Sequence, residues 1–119
     1  MAIPNIVSVS SIYGTTAVGV LTTTLTTTLV TAASDKVLKM NVIRCTNITD
    51  NDATVTLDVE VSGTHKKIAN EVTVPANSVV DIVDKNSSFY LQEPDLLRGG
   101  ASAGTTIDFM VSYEILDDA

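Results

Sequence analysis

Two stretches of the chain alternate apolar and polar residues with period two, the spacing of a β-strand buried on one face. Val55, Leu57, Val59 and Val61 share one face, and Thr54, Thr56, Asp58 and Glu60 the other. Ile107, Phe109, Val111, Tyr113 and Ile115 oppose Asp108, Met110, Ser112 and Glu114 in the same way. One dry and one wetter face per strand is the pattern of antiparallel sheets packed face to face. A third run, Lys36 to Ile48, carries Leu38, Met40 and Val42 in phase, then Ile43 and Cys45 out of phase. Such a break marks a bulge, or a strand buried on both faces.

Turn residues separate these runs. Asp50-Asn51-Asp52 reads as a hairpin between the strand ending near Ile48 and the one starting near Ala53. Ser62-Gly63 is a second turn, followed by short runs at Lys67–Ala69 and Val72–Val74, then the turn Pro75-Ala76-Asn77. Val79–Val83 and Ser88–Leu91 read as short strands split by Asp84-Lys85-Asn86, and Gly99 to Gly104 as a loop before the last strand. Helix signals are almost absent. About seven to nine short strands, with turns every 8–12 residues or so, predict an all-β, antiparallel β-sandwich or jelly-roll-like fold.

The N-terminal third has a different texture. Thr22 to Thr31 is close to a Leu/Thr tract with Leu21, Leu25 and Leu29 four apart, and threonine favours strand over helix there. Residues 1–16 carry Ile3, Ile6, Val7, Val9 and Ile12 and no charged side chain. They are expected to form an extended assembly arm lying on a neighbouring subunit, with residues 17–119 as a single β-sandwich domain. A frayed terminus is the alternative.

At 119 residues the chain fits one domain. A domain of this size buries enough surface to fold without disulfides or metals. With no Trp and 4% aromatic residues, the core must be built from Val, Ile and Leu. The formal charge of -7, with lysines and arginines scattered apart from Lys66-Lys67, argues against a nucleic-acid partner and against an anionic membrane. Cys45 is the single cysteine, so no internal disulfide can form, and its place in an apolar strand suggests a buried thiol made in a reducing cytoplasm. Met1 to Ser11 has no basic n-region and no export is expected. The apolar stretch Ala17–Ala33 is broken by seven threonines and is a poor membrane helix.

Chemistry is hard to assemble from these residues. His65, the one histidine, stands beside Lys66 and Lys67 on a turn or edge strand, with no acid or nucleophile nominated by spacing. One cysteine and one histidine do not make a zinc site. Asp50-Asn51-Asp52 lacks the later acidic ligands and glycine of a calcium loop. Glu93 and Asp95, flanking Pro94, read as a solvated loop, and Asp117-Asp118 as a solvated tail. The glycine cluster has no Gly-Lys-Ser/Thr ending, and no G-x-S-x-G elbow occurs. No enzyme and no cofactor are expected.

Several pieces occur in a distinctive order: Lys36-Val37-Leu38-Lys39-Met40-Asn41-Val42-Ile43, Ala53-Thr54-Val55-Thr56-Leu57-Asp58-Val59, Val74-Pro75-Ala76-Asn77-Ser78, Phe89 through Leu97, and Val111-Ser112-Tyr113-Glu114-Ile115. Taken in that order, over residues 30–116, they resemble small structural proteins of tailed bacteriophages, particularly those of marine bacteria and cyanobacteria. The resemblance implies a non-enzymatic virion component made in the host cytoplasm and assembled as a homo-oligomer. Its partners would be the major capsid protein or other virion proteins. A capsid decoration (cement) protein tying shell subunits together is the first expectation. A neck, tail or fibre-base protein is the second, and a carbohydrate-binding attachment module, needing exposed aromatics on one face, the third.

The strand phase is directly testable. Leu57→Asp, which buries an unpaired charge, is expected to abolish the cooperative melting transition, whereas Asp58→Ala on the wetter face is expected to be tolerated.

Overall fold

Alternation and turn residues generate nine strands among the described residues: β1 Val9–Val20, β2 Thr27–Thr31, β3 Lys36–Asn47, β4 Ala53–Val61, β5 Thr64–Val74, β6 Val79–Val83, β7 Phe89–Gln92, β8 Leu96–Ala101 and β9 Ile107–Asp118. The computed structural model describes residues 9–118 apart from 24, 26 and 105, with the backbone alone for 9–11 and 118. The strands form two antiparallel sheets packed as a β-sandwich. One has the order β1-β9-β3-β6, with β7 also on β3, and the other β2-β8-β4-β5. No helix among the described residues is long and apolar enough to cross a membrane.

The core takes Val55, Leu57, Ile107, Phe109 and Val111 from the alternating runs and adds residues from the other strands, while Val61 at the end of its run is exposed. Leu38, Met40, Ile43, Cys45, Ile107, Phe109 and Val111 come from the first sheet; Leu29, Val55, Leu57, Val74, Leu97 and Ala101 come from the second. The phase break in β3 is a bulge. Met40 opposes Tyr113 and Val42 opposes Ser112, leaving Asn41 as the extra residue. That single insertion lets Leu38 and Met40 before it, and Ile43 and Cys45 after it, all point into the core. Asn41 donates to Glu114 Oε1 at 3.1 Å.

The Ser62-Gly63 turn closes the β4–β5 hairpin with both residues at positive φ, 52° and 81°. This pair of dihedrals matches the twist of the flanking strands. Lys67–Ala69 and Val72–Val74, expected as separate runs, belong to one strand, β5. Two bulges interrupt it, one at Ile68 and one at Asn70-Glu71, with Glu71 at φ 50°.

Asp50-Asn51-Asp52 does not make a hairpin. β3 and β4 lie in different sheets, and this turn carries the chain across. Asn47, 1% exposed, anchors the crossing. Its amide donates to Asn51 O at 2.7 Å and Val74 O at 3.0 Å, and its Oδ1 accepts from the Thr49 N–H and hydroxyl. The returning crossing, β5 to β6, is clasped to it: Asp52 Oδ1 accepts from Ala76 N–H and Asp50 Oδ1 from the Asn77 amide, each at 2.9 Å.

Gly99 and Gly100 are not loop residues but part of β8, which pairs with both β2 and β4. A Cβ on Gly99 would sit 2.6 Å from Leu57 Cδ2 and 3.0 Å from Leu21 Cδ2, so the missing side chain is what lets three leucine-lined strands close. The Leu/Thr tract contributes a strand only over Thr27–Thr31, after Leu21 has turned into the core. Asp95, expected in a solvated loop, is 3% exposed. Its carboxylate accepts from Ser62 N–H and Gln92 N–H, each at 3.3 Å, and ties the β7–β8 corner to the hairpin.

Burial pushes the Cys45 thiol from 9.0 up to about 12, with the Asp81 carboxylate adding to it. The folded state therefore keeps the proton that the unfolded chain loses. This contribution to stability is complete below pH 9 and is lost as pH rises toward about 12. Chemical denaturation across that window should show a steeper alkaline loss for the parent protein than for Cys45→Ala. At pH 8 the native thiol should react with a disulfide reagent only after unfolding.

Candidate functional site

The sandwich has four kinds of edge, and three are blunted in the ways that keep sheets from pairing with strangers. β5 carries His65, Lys66 and Lys67 and two bulges. β2 is five residues long and bulged at Leu29. β6 and β7 are five and four residues long, and Asp81 on β6 is paired to Arg44 at 2.6 Å.

β1 is neither short nor charged, and its one bulge, at Ser10, lies at the very start of the strand. It runs twelve residues as Val-Ser-Ser-Ile-Tyr-Gly-Thr-Thr-Ala-Val-Gly-Val and, among the described residues, pairs on one side only, with β9. The chain has no charged side chain before Asp35. Its β-branched and aromatic residues favour strand. On the inner face Ala17 and Gly19 are small because β9 fills the space: a Cβ on Gly19 would lie 2.7 Å from Phe109 Cζ. The outer-facing side chains are open to solvent. Ile12 is 62% and Val18 74% exposed. Tyr13 and Val20 are exposed as well. Val18, Val20, Thr46, Asp108 and Met110 rim a shallow apolar depression of about 550 Å³ over the β1–β9 seam.

Of the residues expected in the N-terminal arm, Ile3, Ile6 and Val7 lie outside the described residues. Val9 and Ile12 are on β1, opposite Asp118 and Leu116. β1 runs through the boundary expected at residue 16, so residues 9–16 are built into the sheet. Val18 and Val20 complete the exposed outer row with Ile12, while Tyr13, opposite Ile115, is exposed on the other face; none was singled out by pattern, since β1 lacks clean alternation. The one signal for them is the long uncharged run itself.

A second cluster lies on the outer face of the other sheet. Asp58 keeps the phase expected of it yet is 2% exposed, because its cross-strand partner Arg98 covers it. Arg98 Nε donates to Oδ1 at 3.0 Å and Nη2 to Oδ2 at 2.6 Å. The hydrogen bond to Asp58 raises the pKa of the guanidinium. His65 Nδ1 stands 3.7 Å from Asp58 Oδ2, and its Nε2 stands 3.7 Å from Glu60 Oε1. Both distances exceed a hydrogen bond, and neither depression described here is lined by His65. The arrangement is an ion-pair cluster built on the Asp58–Arg98 pair.

A wider polar hollow on the same face is lined by Thr54, Thr56, Lys67, Asn70, Glu71 and Ser102, among others. Its hydroxyls already serve the backbone: Thr56 Oγ1 accepts from Glu71 N–H and Ser102 Oγ from Thr54 N–H. Among the described residues no three His, Cys, Asp or Glu side chains converge to hold a metal. Tyr13 and Tyr90 are exposed, whereas Phe109 is buried and Phe89 and Tyr113 pack against the core. Register puts the two exposed tyrosines on opposite faces, Tyr13 with Ile115 and Tyr90 with Lys39 beside Glu114, so they form no common stacking platform.

No protein-family model matches the chain, and no curated protein matches its sequence.

The tolerance expected for Asp58→Ala gives way to a different outcome. That variant should lower the melting midpoint by about 5–10 °C, as when a buried ion pair loses one member. Arg98→Met, which strands the carboxylate, should cost more than the double variant Asp58→Leu/Arg98→Met in the same thermal-melting series.

Proposed function

We propose that this protein is a non-enzymatic structural component of a bacteriophage particle, a capsid decoration (cement) protein that helps hold shell subunits together. The observation that carries the reading is the β1 edge: twelve residues long, without a charge, its outer side unpaired among the described residues and its apolar side chains exposed. Long, uncharged edges are templates for strand addition by another chain, and soluble sheets ordinarily guard against it. The other edges of the same molecule carry that protection, so the open one is the natural contact. The phage setting rests on the ordered resemblance over residues 30–116. A charge of -7 fits a solvent-facing surface that stays clear of packaged nucleic acid. The partners are the major capsid protein or other virion proteins, and further copies of the chain itself.

The copy number in purified particles, measured against the major capsid protein by quantitative mass spectrometry, tests the reading. A ratio comparable to that of the capsid subunit is expected. A ratio many-fold lower would move the protein to the neck, tail or fibre base, and absence from particles would remove the virion reading altogether.

A further inference from the structure

The two most exposed large apolar side chains among the described residues are Val18, at 74%, and Ile12, at 62%. Both stand on β1. Their partners on β9 are Met110 and Leu116, in phase with the charged Asp108 and Glu114 and out of phase with the core residues Phe109 and Val111, so both belong to the outer face. Thr15 is the midpoint between them in sequence.

That symmetry is what a strand needs in order to pair with itself. Antiparallel pairing about a two-fold axis at Thr15 sets Ile12 of each copy opposite Val18 of the other. Gly14 then faces Thr16, Tyr13 faces Ala17, and Thr15 faces its own counterpart. Opposed residues in an antiparallel pair share a face, so the outer faces remain continuous and the exposed apolar residues become cross-strand contacts. A two-fold axis also makes the interface self-complementary, the commonest form of homodimer.

We propose that β1 is the interface of a homodimer of this chain, in which two five-stranded sheets join edge to edge into one. The proposal rests on the reading of β1 as the assembly edge and names a second copy as its occupant. Charge permits this pairing. Two copies at -7 each repel in general, but β1 brings no charged side chain into the new ladder. The nearest carboxylates, Asp108, Glu114 and Asp117, lie one strand further in, on β9. Across the junction they are separated from the other copy's by three strand spacings, about 14 Å, beyond the screening length of about 8 Å at physiological salt. A twelve-residue strand is roughly 40 Å long. A strip about 10 Å wide along it buries on the order of 800 Å² over both copies, below the size of a permanent complex. The dimer is accordingly reversible and forms with rising concentration.

Sedimentation of the full chain across a concentration series should show the apparent mass doubling. Val18→Lys and Ile12→Lys should each hold it at the monomer value with the melting midpoint unchanged, since both side chains are solvent-exposed in the single copy. Thr15→Cys should give a disulfide-linked species of twice the mass under mild oxidation, because opposed Cα atoms at about 4.5–5.5 Å suit a disulfide. Val79→Cys, 52% exposed on β6 and away from the axis, should give no such disulfide-linked species. A monomer at every concentration, with no Thr15→Cys cross-link, overturns the proposal. If such a monomer still co-purifies with particles at capsid stoichiometry, the assembly reading stands and β1 meets another virion chain. A dimer that is absent from particles leaves the self-pairing intact and removes the virion reading.

Discussion

The pairing of β3 with β9 organises the molecule. Both strands are twelve residues long and lie side by side in the middle of one sheet, and every other strand of that sheet is attached to one of them. Their shared face supplies Leu38, Met40, Ile43, Cys45, Ile107, Phe109 and Val111 to the core. With strict alternation after Leu38 and Met40, Val42 and Arg44 would face the second sheet and Ile43 and Cys45 would face away from it. The extra residue at the bulge corrects the step, so the apolar face stays continuous from Leu38 to Cys45. Asn47, at the end of β3, then turns the chain across to the other sheet with all its polar atoms satisfied inside the protein.

The outer faces separate what holds the fold from what is free to bind. On the β8–β4 face, Arg98 and Asp58 pair directly across strands and bury a carboxylate that faces away from the core. At the β5 edge, lysines and bulges interrupt the ladder. Among the described edges, β1 alone combines length with an apolar surface without charge. The same scarcity of side-chain bulk that lets Gly19 accept the Phe109 ring also leaves the β1 backbone close to solvent.

Much of this was legible in the residues. The alternation at Val55–Val61 and Ile107–Ile115 identified two strands and their core faces, and the phase break after Val42 marked the bulge. Those signals are local. The errors came where the deciding partner is distant in sequence. Asp58 reads as a wetter-face residue until Arg98, forty positions on, covers it. Gly99-Gly100 reads as loop because glycine usually punctuates; here Leu57, Leu21 and Leu29 need its missing side chain. Asp50-Asn51-Asp52 announces a turn but cannot say whether the next strand rejoins the same sheet. The exposed edge was the least legible, since an unpaired strand side is a property of the assembled sheet.

The place of β9 has a consequence for how the chain is made. It stands between β1 and β3, yet among the strands it is the last in chain order. As the polypeptide emerges from the ribosome, β3 can recruit β6 and β7, and β4 can pair with β5, while β1 has no partner to meet. Both flanks of the central position stay open until the twelve residues of β9 arrive and slot between strands synthesised long before. Closure of the sheet is thus a late, long-range event of the kind that makes all-β chains slow to fold. Through that interval the uncharged β1 segment depends on dilution or a chaperone to stay apart from its neighbours.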